Sequence, residues 1–369
     1  MKMAAILKSI LLQPLRVLLF SFPCCFISLP GFGQHYPNYN LGKSTRFFSD
    51  TSCVQLTISA ELKSLLKDVG DERNYHHSVL SYIHHDSLVT IPVKIKTRGY
   101  FRRKRTICNF APLKIDFNKK YVKGTFFEDQ EKLKLVTHCN NRRETYEQNL
   151  LVEYLLYKTY GLLTKRSYGV RLARIRYTDT AGKFDPLEKY GFFIERSRDV
   201  AMRNNARSIK VSNIPQYAMD TAQVVLLSLF QYFAGNTDWS VPGLHNIKLI
   251  QIGLQDPYLP IPYDFDWSGM VNARYAKPSP VLGISSVRER VFRGLCREEN
   301  DYIVAVNLFL SKKEEIYTLY KNFSPLKPKR REACIRYIDD FYEIIENPRN
   351  FRHNILNNCR AGKGGEITR

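Results

Sequence analysis

The sequence predicts a two-lobed α+β fold, with a strand-rich N-terminal lobe and a helical C-terminal lobe. Two observations predict it. Between residues 54 and 195, segments with the apolar–polar alternation of β-strands recur, with one long helical segment among them. From residue 218 to about residue 347, apolar residues instead follow helical spacing. Because runs of strands and runs of helices pack as separate layers, we expect a cleft between the lobes, with the seam near residues 196–214.

The individual elements follow from periodicity and from the residues that end helices. Strands of the first lobe are predicted at residues 54–59, 89–97, 112–117, 132–137, 168–177 and 190–195. Helices are predicted at residues 60–69 and at 143–160, the second ending at Gly161. In the second lobe we expect a buried helix at residues 218–233, a hairpin at 246–251 and 259–264, and amphipathic helices within 286–347.

The composition describes a basic globular chain. Of its 369 residues, 44% are apolar and 13% aromatic, which excludes a disordered chain. The 56 Lys and Arg against 35 Asp and Glu give a net charge of +21, so we expect an anionic partner such as a nucleotide or an acidic protein. A nucleic-acid partner is not expected, because the charge is spread along the chain without a nucleic-acid-binding motif. No Cys or His cluster has the spacing of a zinc site.

The N-terminus predicts export. Residues 1–33 have a basic start, an apolar run over residues 17–29 and glycines at 31 and 33, which is the pattern of a signal peptide cleaved before Gln34. An uncleaved anchor is the alternative, although the apolar run is short for a membrane span. We therefore expect a periplasmic, cell-surface or secreted protein with no membrane span after cleavage. The predicted divisions are a signal peptide (1–33), an irregular leader (34–50), an N-lobe (51–196), a C-lobe (197–359) and a flexible tail (360–369).

Six cysteines remain after residue 33, and an even number in an exported protein permits disulfides. Six cysteines allow 15 pairings. Cys108 and Cys139 flank one predicted sheet segment and are the first candidate pair. Buried free thiols are the alternative.

Acidic and amide side chains are concentrated between residues 234 and 269. They lie in NTDWSVPGLHN (236–246), directly after the predicted buried helix, and in PIPYDFDWSG (260–269), at the end of the predicted hairpin. Singly, such residues are ordinary turn formers. As a set, carboxylates and carboxamides supply the oxygen ligands that Mg²⁺ prefers, and a carboxylate that orients an attacking hydroxyl is what phosphoryl transfer needs.

These motifs resemble those of the CotH kinase family, the spore-coat and invasin-type secreted kinases with an atypical protein-kinase fold. The resemblance covers roughly residues 54–269 and includes VKIKTRG (93–99), PLKIDF (112–117) and GFFIERSRD (191–199) beside the two acidic motifs. It implies a two-lobed kinase-like fold and transfer of the γ-phosphoryl group of ATP to a hydroxyl of a protein or a small molecule. The implied cofactors are ATP and Mg²⁺ or Mn²⁺, and the implied partner is a protein acceptor, which the basic charge suggests is acidic.

The resemblance also implies roles for single residues. Asp238 matches the catalytic aspartate, Asn246 a metal ligand, and Asp264 or Asp266 the second metal ligand. The implied nucleotide-binding residues are Lys114 for the phosphates, Glu147 or Glu153 as the partner of that lysine, Glu195 at the adenine-contacting hinge, and Arg98 with Gly99 in the loop over the phosphates.

Three departures from the family pattern bear on activity. Asp238 and Asn246 lie eight positions apart, which is longer than the usual kinase catalytic loop. The loop after Arg98 has one glycine and a basic run, residues 102–105, which is either solvated or close to phosphates. Tyr263 stands where the family usually has tryptophan. The alternative function is a catalytically inactive kinase-like binding module at the cell envelope, against which the complete set of acidic and amide residues argues.

Overall fold

The computed structural model describes residues 45–361, and its organising element is a closed mixed β-barrel of seven strands. Around the barrel the order is β1-β2-β3-β4-β5-β7-β6. Neighbouring strands pair antiparallel, except that β1 and β6 run parallel and close the barrel, with Val54 opposite Ala173. The strands are β1 (Val54–Ala60), β2 (His76–His84), β3 (Ser87–Thr97), β4 (Leu113–Phe117), β5 (Lys132–Val136), β6 (Val170–Asp179) and β7 (Leu187–Ile194).

The remaining elements precede, interrupt or follow the barrel strands. The helices before β7 are α1 (Arg46–Ser49), α2 (Leu62–Lys67), α3 (Lys119–Val122) and α4 (Glu144–Leu163). Those after it are α5 (Ser197–Arg203), α6 (Thr221–Ala234), α7 (Glu299–Ser311), α8 (Lys313–Lys321), α9 (Pro328–Glu346) and α10 (Pro348–Asn354). A second sheet has the order β10-β9-β8 and consists of β8 (Arg207–Ile209), β9 (Ile247–Gln251) and β10 (Leu259–Pro262). Short 3-10 helices lie at Gln216–Ala218, Pro280–Leu282 and Leu356–Asn358.

Alternation along the strands fills the barrel. On β3, for example, Val93 and Ile95 are buried inside, whereas Lys94 and Lys96 lie on the outer face. The same period of two applies to β4 and β5, because successive side chains of a strand point to opposite faces. The barrel interior is therefore apolar, and the outer face of these three strands carries the charges.

Helix α6 places the acidic loop that follows it. The carboxylate of Asp220 accepts a hydrogen bond from the Gln223 N–H at 2.8 Å and caps the start of the helix. The helix ends at Gly235, whose φ is 63°. A Cβ at this position would lie 1.9 Å from the Tyr337 hydroxyl, so the residue must be glycine for α9 to pack against the turn.

The fold prediction is wrong. The predicted N-lobe strands form a closed mixed barrel, not one lobe of a two-lobed kinase-like fold with a helical C-lobe. The strand expected to be the hinge is β7, which pairs with both β5 and β6 inside the barrel. In addition, the largest apolar cluster runs without a break from barrel residues such as Val136 and Phe192 to Phe233 in α6 and Phe341 in α9. The apolar–polar alternation of the sequence identifies strands, but it does not indicate which strands pair, and so it does not predict the parallel β1–β6 pairing that closes the barrel.

Two disulfides tie down loops and are compatible with an extracellular protein. The predicted pair Cys108–Cys139 is confirmed, and Cys296–Cys359 is the second. Among residues 45–361, no helix is both long enough and apolar enough to cross a bilayer. The signal-peptide prediction and most of the predicted leader and tail lie outside the described residues. The described end of the leader is not irregular, because α1 buries Phe47 in the barrel core.

Candidate functional site

Asp238 lies at the centre of a hydrogen-bonded group of polar side chains in the loop after α6. Its carboxylate is 3.0 Å from the imidazole Nε2 of His245 and accepts a hydrogen bond from the Asn246 Nδ2 at 2.9 Å. Asn246 Nδ2 also donates to the Asp238 backbone carbonyl at 2.8 Å. The Asp238 N–H is held by the carboxamide oxygen of Asn236 at 3.0 Å. The eight-residue separation of Asp238 and Asn246 thus does not keep the two side chains apart.

The hairpin of β9 and β10 brings Asp264 to the same place. The Tyr263 N–H donates to the Asn246 carbonyl at 3.0 Å, directly beyond the paired residues Ile247 and Pro262. Asn246 and Asp264 both have left-handed backbone conformations, with φ of 53° and 64°. Such conformations are uncommon for residues other than glycine and concentrate at functional sites. The Tyr157 hydroxyl of α4 accepts a hydrogen bond from the Asp264 N–H at 2.8 Å and fixes this backbone.

Arg102 joins three carboxylates beside this group. Its guanidinium nitrogens lie 3.0 Å from the Glu153 carboxylate on α4, 3.0 Å from Asp264 and 3.3 Å from Asp266. The Arg102 side chain is 10% exposed and that of Glu153 is 1% exposed. A buried charge of this kind persists because it is paired, and here one fork-shaped cation serves three anions.

The two aspartates of the DFD motif differ in their surroundings. The Asp264 side chain is 40% exposed, whereas that of Asp266 is 8% exposed and accepts a hydrogen bond from the Tyr275 hydroxyl at 2.8 Å. Burial raises the pKa of Asp266 well above its usual range, although the Arg102 charge opposes the shift. Asp264 is therefore the more accessible of the two carboxylates, and Asp266 belongs to the buried network around Arg102.

Further cations lie close to Asp264 and to its neighbour Tyr263. Burial is the main cause that lowers the pKa of Lys134 to about 8; the Arg98 and Lys248 charges lower it further, and Asp264 opposes them. The ammonium groups of Lys134 and Lys248 lie 5.7 Å and 5.3 Å from the ring centroid of Tyr263. Positive charge thus collects beside the acidic and amide residues, as an anion-binding site requires.

The other nucleotide-binding residues inferred from the resemblance are placed differently from their implied roles. Glu153 binds Arg102, and Glu147 binds Lys189 at 3.3 Å together with the Tyr190 N–H at 2.6 Å, so neither contacts Lys114. In this structure each glutamate therefore has a basic partner other than Lys114.

The loop and hinge residues lie at the ends of barrel strands. Lys114 is half-buried in β4, next to Lys134 on β5. The Arg98 N–H donates to the Pro112 carbonyl at 2.7 Å, and Gly99 follows with a φ of 87°. The buried Glu195 carboxylate holds Arg203 at 3.0 Å and the Gly169 N–H at 2.8 Å, so its side chain fixes the end of β7.

Sequence reasoning missed Lys134, Lys248 and the role of Arg102. Lys134 and Lys248 occupy alternating strands, where a lysine usually faces solvent, and nothing in their local pattern separates them from Lys132. Arg102 belongs to a basic run that was expected to be solvated or to lie close to phosphates. No signal in the run separates Arg102 and Arg103, which are buried, from Lys104 and Arg105, which are exposed.

No family model matches the chain, and no curated protein matches it. Within residues 45–361, no three His, Cys, Asp or Glu side chains are grouped so as to hold a metal ion. The candidate site is therefore defined by its own geometry: Asp238 and Asn246 are hydrogen-bonded, Asp264 lies on the hairpin next to Tyr263, and Arg98 and Asp264 both act on the charge of Lys134.

Proposed function

We propose that this chain is an exported, CotH-like kinase, which binds ATP with Mg²⁺ and transfers the γ-phosphoryl group to a hydroxyl of a protein acceptor. The observation that carries the proposal is the grouping of Asp238, Asn246 and Asp264 beside Lys134 and Arg98. The proposal depends on this site and not on the fold, because the same chemistry is found on unrelated folds.

Asn246 and Asp264 fit a magnesium ion. The Asn246 Nδ2 is oriented by its two hydrogen bonds to Asp238, which leaves the amide oxygen as the donor for a cation. Asp264, whose backbone also has a left-handed conformation, adds a carboxylate that is 40% exposed. Magnesium is commonly held by one or two such protein oxygens together with substrate phosphates. Bound there, it would neutralise charge on the phosphate oxygens during transfer.

Lys134, Arg98 and Lys248 are suited to bind the phosphates. The charges of Arg98 and Lys248 lie close enough to Lys134 to lower its pKa. The electrostatic repulsion among the three cations is offset when a polyanion binds between them. In the proposal, Lys134 replaces Lys114 as the principal phosphate-binding lysine. The Asp264 charge influences the pKa of Lys134, whereas Lys114 lies on β4, one strand further from Asp264 than Lys134 on β5.

Asp238 is the proton acceptor of the proposed reaction. The acceptor hydroxyl oxygen forms a bond to the γ-phosphorus, the bond from that phosphorus to the β–γ bridging oxygen breaks, and ADP leaves. The hydroxyl proton passes to the Asp238 carboxylate, whose orientation is fixed by His245 and Asn246. Little covalent chemistry is asked of the protein, because phosphoryl transfer depends mainly on positioning and charge.

The test separates binding from transfer. Asp238→Asn should lower transfer of labelled γ-phosphate to a generic protein acceptor by orders of magnitude and leave Mg-ATP affinity nearly unchanged, because the residue acts in the transition state. Asp264→Ala should weaken Mg-ATP binding. Asp185→Asn, at an exposed position in the β6–β7 turn, is the control and should change neither. A wild-type protein that neither binds Mg-ATP nor transfers phosphate would refute the proposal, and binding without transfer would leave an inactive nucleotide-binding module.

A further inference from the structure

The outer face of β3, β4 and β5 carries two parallel rows of charged side chains. In the first row, Lys94, Asp116 and Lys132 lie directly opposite one another on the three strands. The Lys132 ammonium is 3.5 Å from the Asp116 carboxylate, so a central acid balances two flanking lysines. This is the ordinary way in which a sheet surface accommodates charge, because opposite charges across strands stabilise it.

The second row has no acid. Lys96, Lys114 and Lys134 lie directly opposite one another, two positions further along each strand. Like charges in register are destabilising, and the row spans about 10 Å across three strands at the usual strand spacing. Burial lowers the pKa of Lys114, and Lys132 and Lys96 lower it further. Asp116 opposes the shift of Lys114, and Asp264 opposes that of Lys134, but no acid lies in register within the row. Three lysines in register, next to a row with a central acid, give this face an excess of positive charge that suits an anion.

The row leads from the proposed site of phosphoryl transfer to the open surface. Its Lys134 end lies near Asp264, whereas at its other end the Lys96 ammonium lies 4.5 Å from the centroid of the Tyr75 ring. Along β3 beyond Lys96, the same face becomes a groove of about 720 Å³, whose lining includes Lys94, Asp116 and Tyr121 together with apolar residues such as Val79 and Pro92. A volume of this size lies within the range of ligand-binding clefts.

We propose that Lys96, Lys114 and Lys94 form a docking surface for an acidic peptide segment of the acceptor. Lys94 and Lys96 are two positions apart on one strand, which is the spacing of alternate side chains in an extended peptide. A peptide that lies along β3 with acids at alternate positions can therefore meet both lysines in register, and from Lys96 the row Lys114–Lys134 leads across the strands towards Asp264. The role as an acceptor rests on the proposed kinase function, whereas the binding does not.

The experiment measures binding without nucleotide, so that failure of the kinase function leaves it intact. A fluorescein-labelled peptide of alternating Glu and Ser is titrated with the intact, oxidised protein, and anisotropy is followed. A peptide with Gln in place of Glu is the matched probe. We expect Lys96→Gln and Lys94→Gln each to weaken binding of the acidic peptide by roughly two- to fivefold, as for one exposed ion pair. Asp116→Asn, which removes the one acid of this face, should strengthen it.

Several outcomes would overturn this inference. They are equal binding of the Glu and Gln peptides, unchanged affinity in both lysine variants, weaker binding in Asp116→Asn, or tighter binding of a single-stranded oligonucleotide than of the acidic peptide. Lys183→Gln, at an exposed lysine in the β6–β7 turn, controls for the general effect of net charge and should alter affinity least. Since all these side chains lie on the surface or are half-buried, unfolding temperatures should stay near that of the wild type, and a variant that unfolds early is replaced by the corresponding Lys→Met variant.

Discussion

Arg102→Gln removes the cation on which the buried acidic network depends. The guanidinium contacts Glu153, Asp264 and Asp266, and the side chains of Glu153 and Asp266 are 1% and 8% exposed. Without Arg102, two buried carboxylates lose their main counter-charge. Breaking a buried ion pair by removing one partner costs about 3–5 kcal/mol, so we expect a loss of that size in the free energy of unfolding at neutral pH. This corresponds to a fall in Tm on the order of 10 °C.

The loss should depend on pH in a definite direction. In the variant, burial without Arg102 raises the pKa values of Glu153 and Asp266 further above those of the unfolded chain, since the Arg102 charge lowers both in the wild type. The folded variant then binds more protons than the unfolded chain, so its stability falls as the pH rises. The difference in Tm between wild type and variant should therefore shrink when the pH is lowered from 8 to about 5.

Thermal unfolding followed by circular dichroism across this pH range tests the argument. Arg103→Gln is the matched control, because Arg103 follows Arg102 in the chain but has exposed partners. It contacts the Gly70 carbonyl and the carboxylate of Asp71, whose side chain is 95% exposed. Its loss should be about 1 kcal/mol and nearly independent of pH. Equal losses in the two variants, or a loss in Arg102→Gln that grows on acidification, would refute the reasoning.

Three further results are expected. Mg-ATP affinity should fall by about tenfold between pH 7 and pH 9, because Lys134 with a pKa of about 8 loses its charge. Calorimetry of Lys134→Arg should show an affinity that does not change with pH, and a fall in that variant would place the titrating group elsewhere. Replacing Cys296 and Cys359 by serine should cost about 4 kcal/mol, since the pair closes a loop with a sequence separation of 63, and unfolding in urea measures it; an unchanged midpoint would contradict this. Asp264→Asn should weaken Mg-ATP binding at least about tenfold, whereas Asp266→Asn should change it by less than about threefold while lowering Tm; the reverse order would assign the ligand role to Asp266.

The sequence predicts the local structure of this chain far better than its architecture. The six strands inferred in the first half correspond to β1, β3, β4, β5, β6 and β7, and the helix predicted at residues 143–160 corresponds to α4. β2 was not predicted, and it supplies the antiparallel partner of both β1 and β3. Closure of the barrel depends on the parallel contact of β1 with β6, which are more than a hundred residues apart, and no local period encodes such a pairing.

The candidate site was predictable only in part, for a similar reason. The acidic and amide residues stand in two compact motifs, and one hairpin suffices to join them, so Asp238, Asn246 and Asp264 were found together. Lys248 follows Asn246 by two positions, but Lys134, Arg98 and Arg102 come from a barrel strand and a loop that lie far away in sequence. Arg102 and Asp264 are separated by 162 positions, and only the closed barrel and the packing of α4 bring them into contact.

The central claim is that Asn246 and Asp264 bind a divalent cation together with a nucleotide. Electron paramagnetic resonance of Mn²⁺ counts the bound ion directly in titrations of the intact protein, with and without ATP, for the wild type and for Asp264→Ala. Because the two residues supply only two oxygen donors, we predict tight Mn²⁺ binding that requires ATP and is lost in the variant. Binding of Mn²⁺ that is the same with and without ATP, or that is unchanged by Asp264→Ala, would contradict it.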